Sequence, residues 1–248
     1  MHAFESTDID FAPEGGAGMP QLPRGAHAVR PFRYPLDRVG DDSVVSPVDW
    51  SHLQSSFSGL DLEIGCGVGM HPVRRALAQP DRALIAVEHT AAKFEKFAGR
   101  VGSHREKGHA LSNLIPLHLN AIDFVTRWAP QEVFDTVFLL YPNPHPKERQ
   151  SNQRWLKMPF FGRLLESVKP GGRIVLATNV ESYWTEANEY ALLTWGLETE
   201  SDRVFTSSKV PPHLGRTHFE RKTLERGGVC YESIWIKPVK NESAPFGH

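Results

Sequence analysis

From residue 59 onward the chain alternates short apolar runs with stretches whose apolar positions recur at helical spacing. Leu60, Leu62 and Ile64, with the acidic Glu63 among them and glycines at either end, have the length and composition of a buried parallel strand. Similar runs at 83–87, 114–119, 134–141 and 173–178 predict four more strands. Between them, 71–79 reads as a helix with Pro72 at a tolerated early position. A second helix starts at Thr90 and turns Phe94, Phe97 and Val101 toward the sheet. Further helices are expected from Trp155 to about Lys169, where Pro170-Gly171-Gly172 signals a turn, and over 181–195. Two last strand-like stretches, 197–205 and 229–237, flank a polar loop and read as an antiparallel pair at one sheet edge. The expected fold is α/β and Rossmann-like: a seven-stranded, mostly parallel sheet with an antiparallel C-terminal strand pair.

Residues 1–50 read differently. The first 25 or so are rich in Gly, Pro and Ala, and 27–39 places Arg30, Arg33 and Arg38 among Pro31, Phe32, Tyr34 and Pro35, which forbids a regular helix. This arm either lines a phosphate or a base, or packs extended on the core. One domain over 51–238 and a flexible tail over 239–248 complete the expected organisation.

Composition narrows the function classes. The net charge is −1 over 248 residues, so no general basic surplus advertises nucleic-acid binding. Two cysteines, Cys66 and Cys230, make neither a disulfide framework nor a metal quartet, which implies a reducing compartment. His213 and His218 lack ligand spacing, and no metal is expected. No leader pattern or membrane-spanning run is present, so a cytoplasmic protein is expected, with monomer or homodimer left open.

The candidate chemistry sits where the first strand meets its helix. Gly65, Gly67 and Gly69 form a G-x-G-x-G turn, which lets backbone approach a ligand and admits positive φ. Met70 follows, so the spacing departs from the dinucleotide fingerprint, and with Glu63 two residues ahead it looks like the first motif of S-adenosylmethionine-dependent methyltransferases. Glu88 ends the second strand about twenty residues on, where a carboxylate accepts both ribose hydroxyl protons. His89 beside it is a positional neighbour. Asn120-Ala121 ends the third strand, the place for the adenine ring, with Asn120 offering donor and acceptor. The fourth strand runs into YPNPHPKERQ at the crevice side. His145 there is either an acceptor-edge group or a packed turn residue.

Together, LEIGCGVG, VEH, Asn120-Ala121, YPNPHPKERQSNQRW, LATN and RTHFERK resemble the tRNA (guanine-N7)-methyltransferases, in order and with similar gaps. The resemblance implies S-adenosyl-L-methionine as cofactor, bound at Glu63, Gly65, Gly67, Gly69, Glu88, His89, Asn120, Ala121 and Asn143. It implies Asn143, Asn179 and Glu220 at the reaction centre, and His145, Lys147, Asn179, Thr217 and Glu220 around the substrate base. Two departures stand out: the family's Pro-Asp-Pro is Pro142-Asn143-Pro144 here, and its fifth-strand Asp is Asn179. Methylation of guanine N7 needs no general base but leaves a cationic ring, which carboxylates stabilise better than amides. Glu220 and Glu181 are left to compensate. The Lys/Arg run after the motif is also thinned by Glu148, Gln150, Ser151, Asn152 and Gln153, which weakens phosphate binding unless Arg163, Lys169, Lys209, Arg216, Arg221, Lys222 and Arg226 rebuild a patch. The expected acceptor is therefore a tRNA guanosine or a small purine- or pteridine-like heterocycle, and a non-catalytic RNA-binding relative is the reading from another class.

Overall fold

The computed structural model describes residues 9–10, 32–34 and 46–239. The rest of the arm and tail expected from the sequence lies outside the described residues. Ile9–Asp10 and Arg33–Tyr34 pair antiparallel, and the Phe32 ring meets Phe160 edge-on at 5.6 Å.

Seven strands form the main sheet: β1 (Gly59–Ile64), β2 (Arg82–Glu88), β3 (Leu114–His118), β4 (Phe134–Leu140), β5 (Val168–Thr178), β6 (Glu198–Phe205) and β7 (Cys230–Ile236). Their spatial order is β3-β2-β1-β4-β5-β7-β6. The first five run parallel. β7 lies antiparallel between β5 and β6, which places the expected antiparallel pair at the edge. The order reverses between β1 and β4, and the C-terminal ends flanking that switch point are where open α/β sheets take ligands.

Side chains alternate between two layers. Leu60, Leu62, Ile64, Val137, Leu139, Ile174 and Leu176 face one way, into a core shared with α1 (Trp50–Ser56), α4 (Ala121–Trp128), α5 (Phe160–Ser167) and α6 (Glu181–Glu189). On the other face Leu84 and Ala86 pack on α2 (Met70–Ala78) and α3 (Ala91–Glu106), through Val73, Ala76, Phe97 and Val101. Phe94 is half-buried and stacks on His118 at 5.1 Å. Leu224 of α7 (His218–Glu225) closes over Phe205 and Cys230.

The structure corrects four expectations. The stretch after Trp155 is not one helix: Met158-Pro159 holds Met158 extended, so a short 3-10 turn, Trp155–Lys157, precedes α5. The helix from Glu181 stops at Glu189 and widens into a π turn, Tyr190–Thr194, closed by the Trp195 N–H donating to Tyr190 O. The turn at Lys169 is an irregularity inside β5, where Phe134 pairs with Val168 and Thr136 with Arg173. The polar loop before β7 contains α7, capped by Thr217 Oγ1 accepting the Glu220 N–H at 3.0 Å. Thr217-x-x-Glu220 has the spacing of a capping box, a signal available in the sequence.

Charge is also buried. Asp61 on β1, 1% exposed, accepts from Arg75 Nη2 and Arg82 Nη2 at 2.6 Å each. Asp61→Ala is expected to lower the unfolding free energy by about 3 kcal/mol, because two half-buried guanidinium groups lose their shared partner; urea denaturation measures this. Gly69 has φ +75°, and a Cβ there would lie 1.9 Å from a ring carbon of the fully buried Phe97. Gly69→Ala should therefore cost about 2–4 kcal/mol in the same assay, from left-handed strain plus overpacking.

Candidate active site

A cavity of about 610 Å³ opens where β1, β2 and β4 end. The β1–α2 glycine turn forms one wall. Gly65 has φ +73°, and an added Cβ would meet nothing within 4 Å, so the backbone there borders open space. Gly67 donates its N–H to Glu88 Oε2 at 2.9 Å, and Thr90 donates its N–H to Glu88 Oε1 at 2.8 Å. Burial works against the charge on Glu88, but the N–H bonds from Thr90 and Gly67, with Lys93 nearby, outweigh it and hold the carboxyl below the ordinary glutamate range. An ionised carboxylate has about four lone-pair sites, so two remain for a ligand's hydroxyl groups.

At the tip of β3, Asn120 Oδ1 accepts the Ile122 N–H at 2.8 Å and caps α4. The backbone bond fixes the amide's orientation, and recognition by Asn120 falls chiefly to its NH2 group. Ala121 and Ile122 continue this wall.

The opposite wall is the segment after β4. Tyr141 (φ +55°) and His145 (φ +44°) both hold left-handed backbone. Asn143 Oδ1 accepts the His145 N–H at 3.1 Å, an Asx turn that leaves the Asn143 NH2 group as donor. Tyr141 donates its hydroxyl to Glu220 Oε2 at 2.9 Å. Desolvation and the adjacent Glu220 charge push the Tyr141 phenol well above its ordinary value, so it stays protonated. Gln153, Trp155 and Met158 complete this wall. Glu88 is the one carboxylate among the described lining residues, and Lys93 the one lysine or arginine.

The cavity thus gathers Gly65, Glu88, His89, Asn120, Ala121, Asn143 and His145 from the sequence-derived set. The His89 side chain is mostly exposed, with Nδ1 3.6 Å from Glu88 Oε1. Other members lie outside the lining. Glu63 is buried beneath the glycine turn, accepting from His71 Nδ1 at 2.7 Å, and His71 meets the Phe138 ring at 5.0 Å. Gly67, where an added Cβ would also meet nothing within 4 Å, and Gly69, packed on Phe97, complete the turn. Asn179 and Lys147 are exposed. Glu220 is 1% exposed and accepts from the Arg216 N–H and guanidinium, and Arg216 also pairs with buried Glu232. Burial again opposes its charge, and Arg216 overcomes it, holding Glu220 below the ordinary range. Glu220 therefore reaches the cavity through Tyr141, which the sequence reading had not singled out; nor had it singled out His71, and Arg216 was read there only as a possible phosphate-patch cation.

The cavity fits an adenosyl cofactor: a glycine wall without Cβ atoms, a charged carboxylate with free lone pairs, and an amide beside small apolar groups. Among the described residues no group of side chains could hold a metal ion, and no helix is long and apolar enough to cross a membrane.

Comparison with known proteins agrees with the geometry. A family model described as putative methyltransferase matches residues 59–233. The chain is 30% identical over 170 residues to a tRNA (guanine-N(7)-)-methyltransferase of Rhizobium meliloti, covering 67% of this chain and 69% of the relative. It is 29% identical over 205 residues to the enzyme of that name from Nitrosomonas europaea, covering 82% and 87%. Among solved structures, the 16S rRNA (adenine(1408)-N(1))-methyltransferase of Catenulisporales acidiphilia with cosubstrate SAM superposes with a TM-score of 0.59 at 15% identity, covering 82% of this chain and 96% of that one. The 16S rRNA methyltransferase KamB superposes at 0.56 and 18% identity, covering 76% and 93%. These likenesses to solved structures concern the fold. The cavity, the family match and the relatives converge: this chain is an S-adenosylmethionine-dependent methyltransferase and belongs to the tRNA (guanine-N7)-methyltransferase family.

Proposed function

We propose that the chain transfers a methyl group to a ring nitrogen of a purine-like heterocycle, with guanosine N7 of tRNA, the acceptor named for its relatives, as the leading candidate. The observation that carries the chemistry is the division of the cavity into a cofactor side holding the one carboxylate among the described lining residues and an acceptor side without one among them.

S-adenosylmethionine supplies an electrophilic methyl group on a sulfonium centre. Glu88 is the group that accepts its ribose hydroxyl protons, and Gly65 and Asn120-Ala121 border the remainder. On the acceptor side, the Asn143 NH2 group donates to a carbonyl or ring-nitrogen lone pair of the heterocycle. An Asp at 143 would keep the Asx turn and remove that donor. Aligning a lone pair with the methyl carbon supplies most of the rate, and no general base is required for a nitrogen that carries no proton.

A second reading, a small heteroaromatic acceptor, is favoured by the fate of the cations near the site. Arg154 and Lys157 are bound to Glu186, Arg221 to Glu225, and Arg216 is buried against Glu220 and Glu232. Arg163 donates to Ala129 O. Each cation so engaged is one fewer for phosphate contacts.

Labelled methyl transfer to unmodified total tRNA and to a panel of purines and pteridines separates the readings. Label mapped to N7 of one guanosine is expected under the leading reading, and label confined to a small molecule establishes the second. Asn143→Asp should then lower kcat/KM for the true acceptor by about 10-fold, the loss of one oriented donor. On the cofactor side, Gly65→Ala should fold, with about 1 kcal/mol of left-handed strain. It should bind S-adenosylmethionine at least about 10-fold more weakly by calorimetry, since its methyl enters the cavity wall. Unchanged affinity would remove Gly65 from the cofactor site.

A further inference from the structure

The acceptor wall is held in a conformation it would not adopt alone. Tyr141 and His145, neither of them glycine, both have positive φ, each at a local cost of about 1 kcal/mol or more. Such strain persists only where the surroundings over-determine it. Backbone donors and acceptors fix Tyr141, whose N–H bonds Ala177 O at 2.7 Å. At the other end of the segment one side chain does most of the holding. Arg154 donates from Nε to Pro144 O at 2.9 Å and from Nη2 to His145 O at 3.0 Å. Its third nitrogen, Nη1, lies 2.6 Å from Glu186 Oε2, and Lys157 Nζ lies 2.7 Å from Glu186 Oε1.

The guanidinium plane is therefore filled on two edges, toward the acceptor wall and toward α6. The three side chains are 14%, 22% and 19% exposed, too enclosed for water to replace the bonds freely. Desolvation opposes the Glu186 charge, but the bonds from Lys157 and Arg154 outweigh it and hold the carboxyl below the ordinary glutamate range, so Glu186 stays ionised at neutral pH. Glu186 belongs to α6, which begins two residues after Asn179, whereas Arg154 follows the Asn143 segment. The cluster thus ties the loop after β4 to the helix after β5, and Gln153 and Trp155 on either side of Arg154 line the cavity.

We propose that Arg154, Glu186 and Lys157 form a positioning clamp that sets Asn143 and His145 for the acceptor, without contacting acceptor or cofactor. Its effect on turnover rests on the methyl-transfer reading above, whereas its effect on the loop does not. Glu186→Gln removes the charge that orients Arg154 and keeps the side-chain volume. Lys157→Met is a milder variant that leaves Arg154 and Glu186 in place.

The test compares three readouts in the full-length chain. In Glu186→Gln, hydrogen–deuterium exchange across residues 141–147 should rise by about 10-fold, and in Lys157→Met by less. S-adenosylmethionine affinity by calorimetry should stay within about 2-fold of the parent, because Glu88 and the glycine turn are untouched. The kcat/KM for whichever of unmodified tRNA or the purine panel the parent methylates should fall by about 10–100-fold, as expected for a misplaced acceptor site. Glu186→Asp should recover part of the loss. Arg154→Lys should not, since an ammonium cannot span two carbonyls and a carboxylate in one plane.

Unchanged exchange over 141–147 in Glu186→Gln would overturn the clamp. So would a loss of cofactor affinity that matches the loss of turnover, which would mark a general structural role. If the parent methylates none of the acceptors, the functional reading fails while the exchange comparison still decides the clamp.

Discussion

A carboxylate taken out of water must be met by donors or a cation, and in this chain that requirement ties the fold to the site. Asp61, Glu63, Glu88, Glu220 and Glu232 are each at most 2% exposed, and each has a different solution. Asp61 takes two arginines at the lower end of the sheet, and Glu63 takes His71 behind the glycine turn. Glu220 and Glu232 share Arg216, which joins α7 to β7. Glu88 alone is met by backbone N–H groups instead of a full salt bridge, and it alone lines the cavity. Satisfied by two N–H groups, it keeps its charge and spare acceptor capacity. A close cation would have used up that capacity. The same residue type therefore serves as structural anchor or as ligand group according to what is paired with it.

That distinction also marks what the sequence could tell. Strands β1 to β5 were legible because a buried parallel strand is a local apolar run, and the glycine turn and Glu88 because they lie at a fixed spacing in one βαβ unit. Asn120, Asn143 and His145 were legible as strand tips. Glu220 was legible only through its place in the RTHFERK stretch that carries the family resemblance, and its burial was not. Its partners are the hydroxyl of Tyr141, 79 positions away, and Arg216, which pairs with Glu232 across the sheet edge. Such pairings depend on how β4, β5 and β7 stack, and no local pattern encodes them. Arg154 was read as one of a thinned set of phosphate-binding cations, yet it faces inward because Glu186, 32 positions on, arrives beside it. The helix α7 was hidden by its polar composition, although its Thr217 cap was in plain view.

The paired cations and the two asparagines belong to one argument about charge. Methyl transfer from a sulfonium to a neutral ring nitrogen moves one positive charge across the cavity and creates none. A carboxylate near the acceptor would stabilise the product ring; an amide supplies a dipole and, at Asn143, a donor. With Glu88 at one side and no other carboxylate among the described lining residues, the lining stabilises the charge more before transfer than after it. Three routes can make up the difference: the Glu220 charge acting through Tyr141, a substrate that carries its own negative charge, or a ring that loses a proton and leaves a neutral product. The first is weakened because Arg216 already neutralises Glu220. A nucleic-acid acceptor brings phosphates; Arg154, Arg163 and Arg216 are turned inward, whereas Lys147, Arg149, Lys209, Lys222 and Arg226 stay exposed. The proton-releasing route applies only to a ring that carries a removable proton. The charge that leaves the sulfonium is thus left to be balanced chiefly by the acceptor itself, through its phosphates or a proton it can release.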